Sequence, residues 1–155
     1  FKTTQKFDFV LLLNLIEHVE NPLAVLQGIE SVLTDQGLVL IKTPNYDSLD
    51  AHVFKPWGGL HCPRHWVLFT EQSFRKAAEK ANLRVESLTY TQGAPFWAVS
   101  IMGWLQKKKL VNVNAQRPAI QHPLFPILTG LFAGFDLLRK PFAKTSQMFI
   151  ILRKK

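Results

Sequence analysis

Phe7-Asp8-Phe9-Val10-Leu11-Leu12-Leu13-Asn14-Leu15-Ile16-Glu17-His18-Val19 is the stretch whose reading decides the fold. Residues 7–13 carry one charge among aromatic, β-branched and aliphatic neighbours, the pattern of a strand buried on both faces of a parallel sheet. Asn14, Glu17 and His18 arrive together just past its carboxyl end. In open α/β sheets ligands settle in the crevice outside the carboxyl ends of the strands, so an active site is expected to begin here.

The residues that follow support that reading. Asn21-Pro22 is a helix start, since Asn caps free amides and Pro costs nothing in the first turn. Leu23, Leu26, Ile29, Val32 and Leu33 share one apolar face, and Asp35-Gln36-Gly37 is read as the helix exit. Leu38-Val39-Leu40-Ile41 is a second uninterrupted apolar run, a strand stopped by Thr43-Pro44-Asn45. The right-handed crossover rule places Asn45 near Asn14, at the carboxyl ends of adjacent strands. Residues 44–69 form a long loop rich in His, Trp, Pro and Gly, of a length that usually carries function. It is expected to cover the crevice.

Thr70 then caps a helix from Glu71 to about Ala81, and residues 83–91 alternate as a strand. Apolar spacing in Phe96–Leu105 and Leu124–Leu138 predicts helices, and residues 147–152 a last strand. The apolar run 118–135 is broken by Pro123, Pro126, Gly130 and Gly134 and is too short to span a bilayer.

The chain has 155 residues, 47% of them hydrophobic and 19% charged, which excludes a disordered polypeptide and allows one ordinary domain. The lone Cys62 excludes an internal disulfide and fits a reducing, cytoplasmic compartment. Charge is uneven: residues 1–104 hold 9 Lys+Arg against 10 Asp+Glu, a net of −1, and residues 105–155 hold 10 against 1, a net of +9. That basic third can meet phosphate, nucleic acid or an anionic membrane, or be a solvated face.

The order strand, helix, strand, long loop, helix, strand, insertion, final strand resembles the C-terminal half of a class I S-adenosylmethionine-dependent methyltransferase. The resemblance rests on Phe7-Asp8-Phe9-Val10 leading to Leu15-Ile16-Glu17-His18-Val19-Glu20-Asn21-Pro22, on Leu33-Thr34-Asp35-Gln36-Gly37-Leu38-Val39-Leu40-Ile41, on Thr43-Pro44-Asn45, and on Pro63-Arg64-His65 with Phe69-Thr70. It is nearest to the subgroup that includes ubiquinone-biosynthesis O-methyltransferases. It implies an α/β fold: half of a Rossmann-like sheet, mostly parallel, with an antiparallel last strand between the second and third. The core would be residues 7–93 and 146–153, with a helical insertion at 95–142. S-adenosylmethionine is the implied cofactor. The family's glycine-rich turn and ribose-binding acidic residue are not found in these residues, so an N-terminal half is expected to be missing, the chain to be inactive alone, and strand 7–13 to be an unprotected edge.

The resemblance assigns Leu13, Asn14 and Leu15 to the cofactor, and Asn45, His61, Arg64 and His65 to the substrate side. His18 has the pKa range of a base that removes a hydroxyl proton, or it hydrogen-bonds backbone near a helix start. Glu17 is read as its orienting partner, a metal ligand, or a helix-terminus charge. Arg64 binds an anionic group or anchors its loop. His61-Cys62-x-x-His65 with His52 upstream fits no closed zinc pattern, and no residue is assigned to a metal. The expected function is methyl transfer to a small-molecule or lipid-like acceptor, at oxygen, with peripheral membrane contact and no nucleic acid. The alternative is a non-catalytic membrane- or nucleic-acid-binding module built on the basic third.

Overall fold

Two apolar runs separated by a capped helix pair side by side in the computed structural model, which describes residues 3–114 and 116–155. The elements in chain order are β1 (Phe7–Leu13), α1 (Pro22–Val32), β2 (Leu33–Pro44), α2 (Leu49–Val53), α3 (Glu71–Lys80), β3 (Leu83–Thr91), α4 (Ala94–Lys107), α5 (Leu124–Arg139) and β4 (Gln147–Lys154). They fall into two compact units. The first is the stretch up to Asn45 with Cys62–Thr89 and Met148–Lys155; the second is Tyr46–His61 with Tyr90–Gln147.

The sheet has the order β1-β2-β4-β3, the expected α/β arrangement. β1 and β2 run parallel, with Phe9 opposite Leu38 and Leu13 opposite Lys42. β4 runs against both its neighbours. On the β2 side Arg153 reaches the Gln36 carbonyl while Phe149 lies under Lys42, and on the β3 side the Lys155 amide meets the Asn82 carbonyl while Arg153 pairs with Glu86. Partner numbers fall on one strand as they rise on the other, which only antiparallel pairing gives. Met148, Ile150 and Leu152 are fully buried at every second position of β4. Each such side chain is worth about 1.5–3 kcal/mol, whereas a surface ion pair such as Arg153–Glu86 adds at most about 1 kcal/mol, so the apolar alternation sets the register.

Two expectations are corrected. β1 is not buried on both faces: Phe9, Leu11 and Leu13 are about half exposed, because β1 lies at the sheet edge and one of its faces is bare. The run with its single charge, Asp8, is a strand, and it lies at the sheet edge as expected. Gly37 is not a helix exit. α1 stops at Val32 and β2 begins at once, so Gly37 lies inside a strand. The β1–β2 register shifts between Phe7 and Phe9, and a Cβ on Gly37 would meet Leu33 Cγ at 2.7 Å and the Phe7 carbonyl at 3.0 Å. A bulge with close backbone approach is the other use of a strand glycine.

The helix starts stand as read. The Asn21 side chain accepts the Ala24 N–H at 3.0 Å with Pro22 in the first turn, and α1 buries Leu26 and Ile29. Thr70 accepts the Ser73 amide and Ser73 Oγ accepts the Thr70 amide, a reciprocal cap that starts α3. Phe74 and Ala78 form its buried face, with Phe69 edge-on to Phe74.

The second unit is helical and is held from inside by two buried carboxylates. Asp50 accepts the Trp57 indole N–H at 2.6 Å and the Ser146 hydroxyl at 2.8 Å. Asp136 accepts the Gly93 amide at 3.0 Å and a bond from Arg139 at 3.2 Å. Burial holds the Asp136 carboxyl above its usual range, against the pull of the Gly93 amide. Between these anchors α5 stacks Phe132 on Trp97 of α4 at 4.7 Å.

An open, half-apolar edge is a template for pairing with another chain. The chain is expected to self-associate as its concentration rises, and Leu11→Lys, at an exposed position of β1, to stay monomeric with an unchanged thermal midpoint. Size-exclusion chromatography with light scattering checks this, and a wild-type chain monomeric at every concentration would contradict it.

Candidate active site

The end of β1 is shaped by a backbone reversal. Asn14 takes a left-handed conformation (φ 49°), which Asn tolerates better than most residues, while its amide still donates to the Lys42 carbonyl at 2.9 Å. The chain therefore leaves the sheet in register with β2 and enters a short 3₁₀ turn, Ile16–His18. Ile16 is fully buried and pins that turn to the core.

Glu17 follows Ile16 inward and is 1% exposed. Its Oε2 accepts the Thr43 hydroxyl at 3.0 Å, and its backbone carbonyl accepts the amides of Trp66 at 2.8 Å and Val67 at 3.3 Å. Burial pushes the Glu17 carboxyl above its usual range. A backbone hydrogen bond, the Thr43 hydroxyl and the nearby His18 and Lys42 pull the other way without overcoming it.

His18 stands beside it, half buried. Its Nδ1 lies 3.0 Å from the Arg64 carbonyl oxygen, which can only accept, so Nδ1 carries the proton and donates. The neutral ring then has its lone pair on Nε2. The His65 ring lies edge-on to His18 at 4.6 Å between centroids. One ligand atom each from Glu17, His18 and His65 lies within 4.8 Å of the others. A carboxylate with two imidazoles suits a divalent ion such as zinc, so these three could hold one. Spacing in sequence could not reveal the cluster, because Glu17 and His65 are brought together by the loop's return.

Of the residues singled out from sequence, Glu17, His18, Arg64 and His65 meet at one place, Arg64 through its backbone carbonyl. Leu13, Asn14 and Leu15 line the strand end, with both leucines about half exposed. Asn45 is fully buried and bridges to Phe69 in parallel register. His61 belongs to the other unit, at a left-handed position (φ 40°), and His52 is bound to the Ser48 carbonyl there at 2.7 Å. The long loop is thus divided, with Cys62 onward packed in the sheet unit and the rest in the helical one. Thr43 was missed. The signal for it was available, since parallel pairing that sets Leu13 against Lys42 puts residue 43 beside the turn.

A groove of about 600 Å³ along α1 and the start of β1, between Phe7, Val25 and Ile29, lies at the opposite strand end from these polar groups.

A family model described as a methyltransferase domain matches residues 1–88. A search of the curated proteins gave no match. Among solved structures the chain is similar to the mitomycin 7-O-methyltransferase MmcR, with 11% identity, a TM-score of 0.55, and 99% of this chain and 31% of that one covered. It is also similar to a SAM-dependent methyltransferase from Archaeoglobus fulgidus, with 15% identity, a TM-score of 0.53, and 97% of this chain and 60% of that one covered. A structure described as a pericyclic reaction enzyme matches at 10% identity and a TM-score of 0.52, covering 99% of this chain and 28% of that one. The shared fold alone therefore does not fix the reaction. The chain spans between a quarter and two thirds of the length of these structures.

The raised Glu17 pKa has a sign in stability. The folded state holds the proton more tightly than the unfolded one, so stability is greatest below the ordinary carboxylate range and falls as pH rises through the folded value. Glu17→Gln keeps an acceptor for Thr43 and removes the titration. Urea unfolding from pH 4 to 8 is expected to show wild type losing stability relative to Glu17→Gln as pH rises; a relative gain would contradict the burial argument.

Proposed function

The chain belongs to the methyltransferase domain family, and on that premise we propose that it is part of an S-adenosylmethionine-dependent enzyme that methylates a small-molecule or lipid-like acceptor at oxygen. The observation that carries the reading is the His18 ring, just past the carboxyl end of β1, whose Nδ1–H is held by the Arg64 carbonyl and whose Nε2 is left as the basic atom.

The strand end suits one part of the cofactor. Leu13 and Leu15 are half-exposed apolar side chains around the exposed Asn14, a setting for a thioether chain with one polar partner. No strand joined by a glycine-rich turn to a helix is found among the described residues, so the nucleotide part would be held by chain beyond these 155 residues. When bound, the cofactor supplies a methyl carbon on a positively charged sulfur, whose bonding electrons return to sulfur as the methyl leaves. The protein's work is to hold the acceptor in line and to remove its proton. His18 Nε2 takes the hydroxyl proton as the oxygen bonds to the methyl carbon. Glu17, buried next to the ring, lends negative charge that stabilises the imidazolium formed. Asn45, Arg64 and His65 are the groups assigned to the acceptor from the strand-end and loop sides.

A second reading is favoured by the Glu17–His18–His65 cluster: a divalent cation bound there would lower the acceptor's pKa in place of a base. The two are separated in a chain extended upstream to a full methyltransferase domain. Under the base reading, His18→Ala lowers turnover by about 10²–10⁴-fold with cofactor affinity nearly unchanged, and a chelator has no effect. Under the metal reading, chelation abolishes turnover, added zinc or manganese restores it, and His65→Ala is as damaging as His18→Ala. Full turnover in both alanine variants would overturn both.

A further inference from the structure

α5 is built inside out. A surface helix ordinarily turns its charged residues to water and its apolar ones inward. Here Asp136 is fully buried and Arg139 is folded against it and over the Phe135 ring, while Leu124, Ile127, Leu131, Phe135, Leu137 and Leu138 are all exposed. The remaining exposed residues of the helix are Pro126, Gly130 and Gly134, so its outward face carries no polar side chain. Ile120 before the helix and Phe142 after it are also exposed, at 68% and 81%. An apolar strip of this length is more than the scattered surface leucines of a soluble protein, and it needs an occupant.

We propose that this face of α5 docks in the interfacial layer of an anionic membrane, lying flat on it. Charge chooses among the occupants. The helical unit, residues 46–61 and 90–147, holds 8 Lys+Arg against 3 Asp+Glu, a net of +5, and Lys108, Lys109, Arg117 and Lys140 in it are exposed. A second copy would set this charge against an equal one, which opposes pairing through the face. Nucleic acid offers the basic residues its phosphates but gives an uncharged leucine and phenylalanine strip nothing to bury against. A lipid surface with anionic headgroups supplies both at once. Depth is limited as well. Sixteen residues make a helix of about 24 Å, shorter than the roughly 30 Å hydrocarbon core, and no helix among the described residues is long and apolar enough to cross a membrane. The inference uses only the helical unit and stands apart from the methyl-transfer reading.

Flotation of the full chain with vesicles tests it. Vesicles of phosphatidylcholine mixed with phosphatidylglycerol are expected to carry the protein up, and pure phosphatidylcholine vesicles to carry much less. Since each basic residue near an anionic surface contributes about fivefold in partitioning, Lys108→Gln with Lys109→Gln and Lys140→Gln should lower binding by about two orders of magnitude, and raised salt should do the same. Ile127→Glu with Leu131→Glu, both at exposed positions, should abolish binding while leaving the circular dichroism spectrum unchanged. Equal binding to neutral and anionic vesicles would overturn the proposal, as would binding unaffected by the glutamates. Two further outcomes would also overturn it: a dimer abolished by the same glutamates without vesicle binding, or retention on single- or double-stranded DNA without vesicle binding.

Discussion

A carboxylate with almost no access to water sits at the point where the first strand ends, and the sheet unit is tied together through it. Glu17 receives the Thr43 hydroxyl on its side chain and the Trp66 and Val67 amides on its carbonyl, so one residue joins the ends of β1 and β2 to the segment that returns before α3. Removing a charge from water costs several kcal/mol unless its hydrogen-bonding capacity is met, so these partners are a condition of the turn's existing in this form. The turn in turn presents His18, whose ring is oriented by the Arg64 carbonyl from the same returning segment. The buried acid and the oriented imidazole are consequences of one loop path.

Local chemistry made much of this legible. Asn21-Pro22 and Thr70 announced their helices because capping is a matter of a few adjacent atoms, and β4 announced its register through buried residues at every second position. The strand-end cluster was legible in part, since Glu17 and His18 follow an apolar run directly. What failed needed neighbours that a chain pattern does not contain. Composition cannot tell a strand buried on both faces from a strand whose second face is bare, and β1 is the latter. Gly37 carried the signal for a helix exit and the signal for a strand bulge equally, and pairing with Phe7 decided it. His61 and His65, four residues apart in sequence, fall into different units.

The helical unit, like the sheet unit, buries carboxylates whose hydrogen bonds are met from within. Asp50 and Asp136 are satisfied from within by an indole, a hydroxyl, a backbone amide and Arg139, which frees α5 to leave its apolar residues outside. A periodicity argument sees the 3–4 spacing of α5 and assigns it a buried stripe. Only the position of Asp136 shows that the stripe facing inward is the other one.

The role proposed for His18 depends on the orientation of its ring. Nitrogen NMR of the ¹⁵N-histidine-labelled chain, with the signal assigned through His18→Gln, reads the tautomer directly at a pH where the ring is neutral. The Arg64 carbonyl contact requires a proton on Nδ1 and a pyridine-type Nε2. A proton on Nε2, or a signal averaged between the two forms as in a free imidazole, would contradict it.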